Sequence, residues 1–218
     1  MRFIYFKAPF AAFRPFKSFE LCPTADFITH SAAYGLLLGL AGIEREDKES
    51  FADARIVIGR KHPAKKGRIF QQLIDGKREL AHDEGGDFNL RPFWREVLYD
   101  LEGYVGLDHP ALEEFVDKGI RHPSTLSYWG LPFMGDNNFL LERAEIHETP
   151  TPCRWFDVYK GEKLSRRERL HYLSVWTDYN TGADSRGLLF FLTEEKESPP
   201  ETAWISLRHS GGELDRTD

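Results

Sequence analysis

Apolar and polar positions follow two periods along this chain, and the switches between them predict its elements. Residues 2–7 crowd Ile4, Tyr5 and Phe6 onto both faces of a short segment, which predicts a buried central strand. From Thr29 the spacing becomes three and four: Ala33, Leu36, Leu37 and Leu40 form one apolar stripe of a helix, and Ala32, Gly35 and Gly39 a neighbouring stripe with almost no side chain. The bare stripe predicts a helix pressed tightly against a sheet, capped at its start by Thr29 or Ser31 and closed by Gly42 in a left-handed conformation. The mixed charges of 42–54 mark a surface connection, and Ile56, Val57 and Ile58, bounded by Gly59, a second strand. Basic, apolar and turn residues alternate over 62–94, with Asp-Gly and Gly-Gly pairs at 75–76 and 85–86, predicting a long, partly disordered projecting β-hairpin. Val97, Tyr99 and Leu101 at period two give a third strand. Pro110 then opens a helix with Leu112, Phe115 and Val116 as its core stripe and Gly119 as its terminator. A turn-rich loop over 124–139 leads to a strand over 139–148.

Strand, helix, strand, excursion, strand, helix, loop, strand is the βαββαβ order of an α+β, ferredoxin-like or RRM-like fold. It assigns 1–149 to that domain, with a β-hairpin thumb at about 60–92, and 150–218 to a small C-terminal β-rich extension. That extension is either a second small sheet or a continuation of the first. The same order serves many functions, so function must come from particular residues.

Composition narrows the field. Hydrophobic residues at 41% and charged residues at 29% are ordinary for a soluble globular protein. The first residues lack the basic flank and apolar run of a signal peptide, and no stretch approaches the roughly 20 apolar residues of a membrane helix, so no membrane contact and a cytoplasmic location are expected. Two cysteines far apart, Cys22 and Cys153, fit reduced thiols. A net charge of −6 argues against a free-standing, non-specific nucleic-acid binder. Residues 55–78, however, hold eight Lys and Arg against Asp75 alone, a net +7 that leaves −13 on the rest. One basic arm on an acidic body suits a subunit that meets nucleic acid on a single face; a solvated charged hairpin fits the composition equally well.

Candidate chemistry is sparse. No phosphate-binding glycine loop, nucleophile elbow or paired-cysteine motif is present. His82, Asp83 and Glu84 are adjacent and cannot easily converge on one ion, and His147 with Glu148 reads the same way, so neither a metal nor another cofactor is expected. Lys61 and His62 offer a charge stabiliser and a general acid or base beside a phosphodiester, or else a basic turn at the hairpin foot. Phe10, Phe13, Phe16 and Phe19 recur every three residues around Arg14 and Lys17, a stacking and phosphate-gripping edge or a second packing layer. The start of the Thr29 helix adds backbone N–H groups, with His30 and Ser31 as donors, where a phosphate could sit.

The stretch FKAPFAAFRPF followed by PTADFITHSAAYGLLLGLAGI resembles the N-terminal signature of the fifth Cas family, a RAMP-type subunit of type I CRISPR effector complexes, closest to its subtype I-B, myxobacterial-type branch. GLPFMGDNNF resembles that family's later turn motif, and the basic excursion lies where its thumb is expected. The resemblance implies a ferredoxin-like RAMP domain without catalytic residues that caps the 5′ handle of the guide RNA (crRNA). It also implies contacts with the backbone subunit and the large subunit, and with target DNA near the flanking motif. Carried onto this chain, Ser31 and Tyr34 would lie near the handle and Arg14 and Lys17 on phosphates. The arm with Arg60, Lys61, His62, Lys65, Lys66 and Arg68 would form the thumb. His30 stands where relatives commonly place proline. Some relatives cleave precursor guide RNA without metal through tyrosine, lysine and histidine, whose nearest equivalents here are Tyr34, Lys61 and His62. Two alternatives remain beside the RNA-capping reading: such an endoribonuclease, and a protein-binding subunit without RNA contact.

Overall fold

A computed structural model describes residues 1–14, 21–74, 90–126, 131–161, 169–178 and 185–207. The first strand, β1 (Arg2–Ala11), buries Ile4 and Phe6 on one face and Phe3 and Tyr5 on the other, as a central strand requires. After the two-residue β2 (Leu21–Cys22) comes helix α1 (His30–Ala41). The Thr29 hydroxyl accepts from the Ala32 N–H at 3.2 Å, and Gly42 ends the helix at φ 71°, ψ 30°. A 3-10 segment, Arg45–Phe51, leads to β3 (Arg55–Arg60), followed by β4 (Lys65–Ile74), β5 (Leu90–Asp108) and helix α2 (Pro110–Arg121). The chain closes with β6 (Arg143–His147), β7 (Cys153–Val158), β8 (His171–Trp176), β9 (Arg186–Lys196) and β10 (Ile205–Ser206).

These strands make one mixed α+β assembly around a single sheet ordered β6-β1-β5-β3-β7-β9-β8, antiparallel except for the short β2 beside β5. The C-terminal strands therefore continue the first sheet: β7 meets β3 at Gly59↔Trp155 and Arg60↔Arg154, while β10 takes the other end of the same strand edge at Ile56 and Arg55. The 19-residue β5 serves twice. Its first half pairs with β4 as the hairpin, and its second half lies between β1 and β3.

The two uses meet at Asp100, whose φ is 57°. The register between β1 and β5 skips Pro9 and Asp100, and both strands change face there together. Ala8 and Ala11, three apart, both enter the main core, as do Leu98 and Leu101. Asp tolerates the left-handed region better than most side chains, so the sequence accommodates the distortion.

Three helix expectations are corrected by the packing. The bare stripe of α1 does not press on the sheet, because a Cβ built at Gly35 or Gly39 meets nothing within 4 Å. The close approach lies at Gly119 of α2, where a Cβ would stand 1.7 Å from the Leu40 carbonyl oxygen, so this glycine is a helix-contact residue and not a terminator. Leu112 and Val116 are buried, but Phe115 is 44% exposed and packs edge-on to Phe51.

Candidate nucleic-acid interface

The hairpin that begins at Lys65 carries three of the basic residues singled out by sequence, Lys65, Lys66 and Arg68, and its register decides what they meet. Lys66, Arg68 and Phe70 share one face with Leu98, Glu96 and Trp94 directly across. Phe70 and Trp94 are each 53% exposed and meet edge-on with ring centroids 5.4 Å apart. Large aromatics exposed beside cations are what stacking onto unpaired bases uses. Their alternation with Lys66 and Arg68 was a usable sequence signal that the reading above missed. The opposite face of the hairpin is closed, with Ile69 and Tyr99 packed on the cluster of Ala12, Val97 and Phe139.

Charge at the hairpin foot is more balanced than the count over 55–78 suggests, since the acids arrive from the paired strand. Lys61 lies 3.2 Å and His62 3.3 Å from Glu102, Arg68 lies 3.6 Å from Glu96, and the exposed Lys65 reaches Asp100 only at 4.0 Å. Lys66 donates at 3.0 Å to both Asp26 and the Thr24 carbonyl. Burial opposes ionisation of Glu102, but hydrogen bonds from Lys61, Tyr5 and His62 outweigh it and hold the carboxyl below its usual pKa. The tyrosine brought to Lys61 and His62 is thus Tyr5. Burial and its bond to Glu102 push its phenol up to about 12.

Tyr34 has other partners. It is buried, its hydroxyl donates to the Lys48 carbonyl, and its ring faces Trp176 at 6.0 Å. Burial, with Glu49 and Asp53 nearby, raises its pKa further. His30, expected at the surface as a donor, is 0% exposed and stacks on Phe190 at 4.7 Å, with neither ring nitrogen hydrogen-bonded. Desolvation lowers its pKa to about 3, so the ring is neutral and does not reach a phosphate. Ser31 is half-buried and donates to Thr177 at 3.0 Å.

Ser31 nonetheless lines a groove of about 620 Å³ over the bare face of α1, with Arg14, Gly35, Gly39 and Trp176. Arg14 is exposed, Phe13 is buried, and Lys17, Phe16 and Phe19 lie outside the described residues, as do residues 75–89 with His82, Asp83 and Glu84. Across the groove, Arg95 is buried and held by Asp136 at 2.6 Å.

Among the described residues no group of three or more His, Cys, Asp or Glu could hold a metal ion, and no helix is long and apolar enough to cross a membrane. Cys22 and Cys153 are free thiols, and burial pushes the Cys153 thiol up to about 12.

No family model and no curated protein matches the chain. In three dimensions it is similar to a chain of a solved "CRISPR RNA-guided surveillance complex", with a TM-score of 0.57 and 13% identity over 93% of this chain and 96% of that one. A solved "Cas protein" aligns with a TM-score of 0.48 and 16% identity over 91% of this chain and 99% of that one. The first likeness shows a shared fold along nearly the whole length of both chains.

Proposed function

We propose that this chain is a non-catalytic RNA-binding subunit of a type I CRISPR surveillance complex, of the fifth Cas family, that caps the 5′ handle of the guide RNA. The observation that carries the reading is the near full-length fold likeness to a chain of a "CRISPR RNA-guided surveillance complex", reached independently of the N-terminal resemblance. The order β6-β1-β5-β3, with helices following β1 and β5, fits a ferredoxin-like RAMP domain and supports the same reading. In it the β4–β5 hairpin acts as the thumb, Lys66, Arg68, Phe70 and Trp94 face the RNA, and the neighbouring backbone and large subunits cover other surfaces. Target DNA would be read by the guide, with protein contacts near the flanking motif. Co-expression with the neighbouring genes tests the proposal: the chain should co-purify in a complex holding one RNA of uniform 5′ end. Recovery of the complex without RNA would sink it.

A metal-independent endoribonuclease is the second reading, favoured by one arrangement, the convergence of Tyr5, Lys61 and His62 on Glu102. That same carboxylate occupies the cations and keeps the phenol protonated, which supports a structural use of the cluster. Specific cleavage of repeat RNA in EDTA, abolished by His62→Ala, would decide for the nuclease.

A further inference from the structure

Arg60 ends β3 at the hairpin foot, and its guanidinium is short of partners. Its Nε is buried without a hydrogen bond, and among the described residues no carboxylate lies within ion-pair distance of it. Desolvation, then the like charge of Arg154 directly across in β7, lowers its pKa; Asp26 acts more weakly in the opposite sense. A half-buried cation with a second arginine beside it needs a counter-charge. Arg60 lines a cavity of about 250 Å³ with Asp26, Lys66, Leu98, Arg169 and His171. Asp26 cannot serve Arg60 fully, because it already accepts from Lys66 at 3.0 Å and from His171 Nδ1 at 2.9 Å, with Arg169 at 3.9 Å. The hydrogen bond from His171, then the hydrogen bond and charge of Lys66 and the charge of Arg169, hold its carboxyl well below the usual carboxylate range against its burial. The cavity therefore gathers three guanidinium or ammonium groups around one committed acid.

We infer that this cavity is an oxyanion site that takes a single phosphate group, held by Arg60 and Arg169 with Lys66 and His171 at its wall. Arg60 provides the planar fork suited to phosphate oxygens, and His171 is held in orientation by Asp26. The hairpin face says where such a phosphate comes from. Lys66 and Leu98 at the cavity lie in line with Arg68 and then the exposed pair Phe70 and Trp94, four residues or about 13 Å along the strand. A strand with a base on the aromatics would pass Arg68 and deliver a backbone phosphate one or two nucleotides on. The nucleic-acid source rests on the proposed function; the anion site does not.

Two arms separate the two. In the first, thermal unfolding of the full chain is followed in inorganic phosphate and in chloride of equal ionic strength. At phosphate roughly tenfold above its Kd the Tm should rise by about 2–6 °C over chloride, and the rise should vanish in Arg60→Gln and in Arg169→Gln. Arg169 is 77% exposed, so its variant keeps the fold even if the Arg60 variant does not. An equal rise in wild type and both variants, or none in wild type, overturns the site. In the second arm, retention of repeat RNA by the assembled complex is titrated with salt; Arg169→Gln should flatten the slope of log affinity against log salt by about 0.7, one lost phosphate contact. A phosphate response lost in the variants, with no RNA on the wild-type complex, keeps the site and sinks the proposed function. RNA binding unchanged in Arg169→Gln, with phosphate inert, does the reverse.

Discussion

Helix α1 and the foot of the hairpin both flank the same sheet, and they are fixed by opposite means. The helix has no acid in its first turn and no base in its last. Shape holds it: His30 lies flat on Phe190, and the Leu40 backbone rests on Gly119. The foot is fixed by charge, with Lys61 and His62 on Glu102 and Lys66 and His171 on Asp26. A region placed by shape responds to single atoms and hardly to salt; one placed by ion pairs responds the other way. Under the proposed function the RNA would sit at the second, where it would compete with internal acids for the same cations.

The largest break of this contrast is Gly119→Ala. A methyl 1.7 Å from a backbone oxygen cannot be absorbed by a rotamer, so the helices must part, at a cost of about 3 kcal/mol or more in urea denaturation. Gly39→Ala, with open space around it, should be neutral or stabilise by up to ~1 kcal/mol. Equal stabilities for the two variants would dissolve the distinction between the faces of α1.

Acid tests the same helix next. His30 accepts a proton near 6.5 when unfolded but only at about 3 when folded, so between these values the unfolded chain binds more protons and stability falls as pH drops. From pH 6.5 to 5 the loss should be roughly 2 kcal/mol. The depressed carboxyls of Asp26, Glu102 and Asp136 act in the same direction, but only below their unfolded values near pH 4, which leaves the upper window to the histidine. His30→Leu should flatten the stability profile above pH 5. A profile unchanged by that substitution would mean the buried ring is not what senses acid.

What the sequence told and what it hid divides along the same line. The caps of α1 were legible because capping is local: Thr29 and Gly42 act within three residues of the groups they satisfy. So was its apolar stripe, since Ala33, Leu36 and Leu37 are buried; that the bare stripe beside it would meet open space was not, and the contact that small residues promised was made by a glycine on another helix. The basic arm was legible as charge, but its neutralisation by Glu96, Asp100 and Glu102 depends on registers that appear only once β5 pairs with β4 and β3. Asp26 and His171 lie 145 residues apart, and β7 joins β3 through two residue pairs, so neither had a local signal. Exposed Phe70 and Trp94 were within reach, because they share parity with the charges around them.

The smallest expected loss of stability is the sharpest for the foot. Glu102→Gln leaves a shape of the same size, so folding should lose only about 1 kcal/mol from weakened bonds to Lys61, His62 and Tyr5. Lys61 is then released from its acid while staying where it is. If the foot meets RNA, the salt dependence of RNA retention should steepen by about 0.7 in log units, the mark of one additional phosphate contact. A variant with lower stability and an unchanged slope would make the ion pair purely structural, and the cations of the foot would then be fixed by charge for the same reason α1 is fixed by shape.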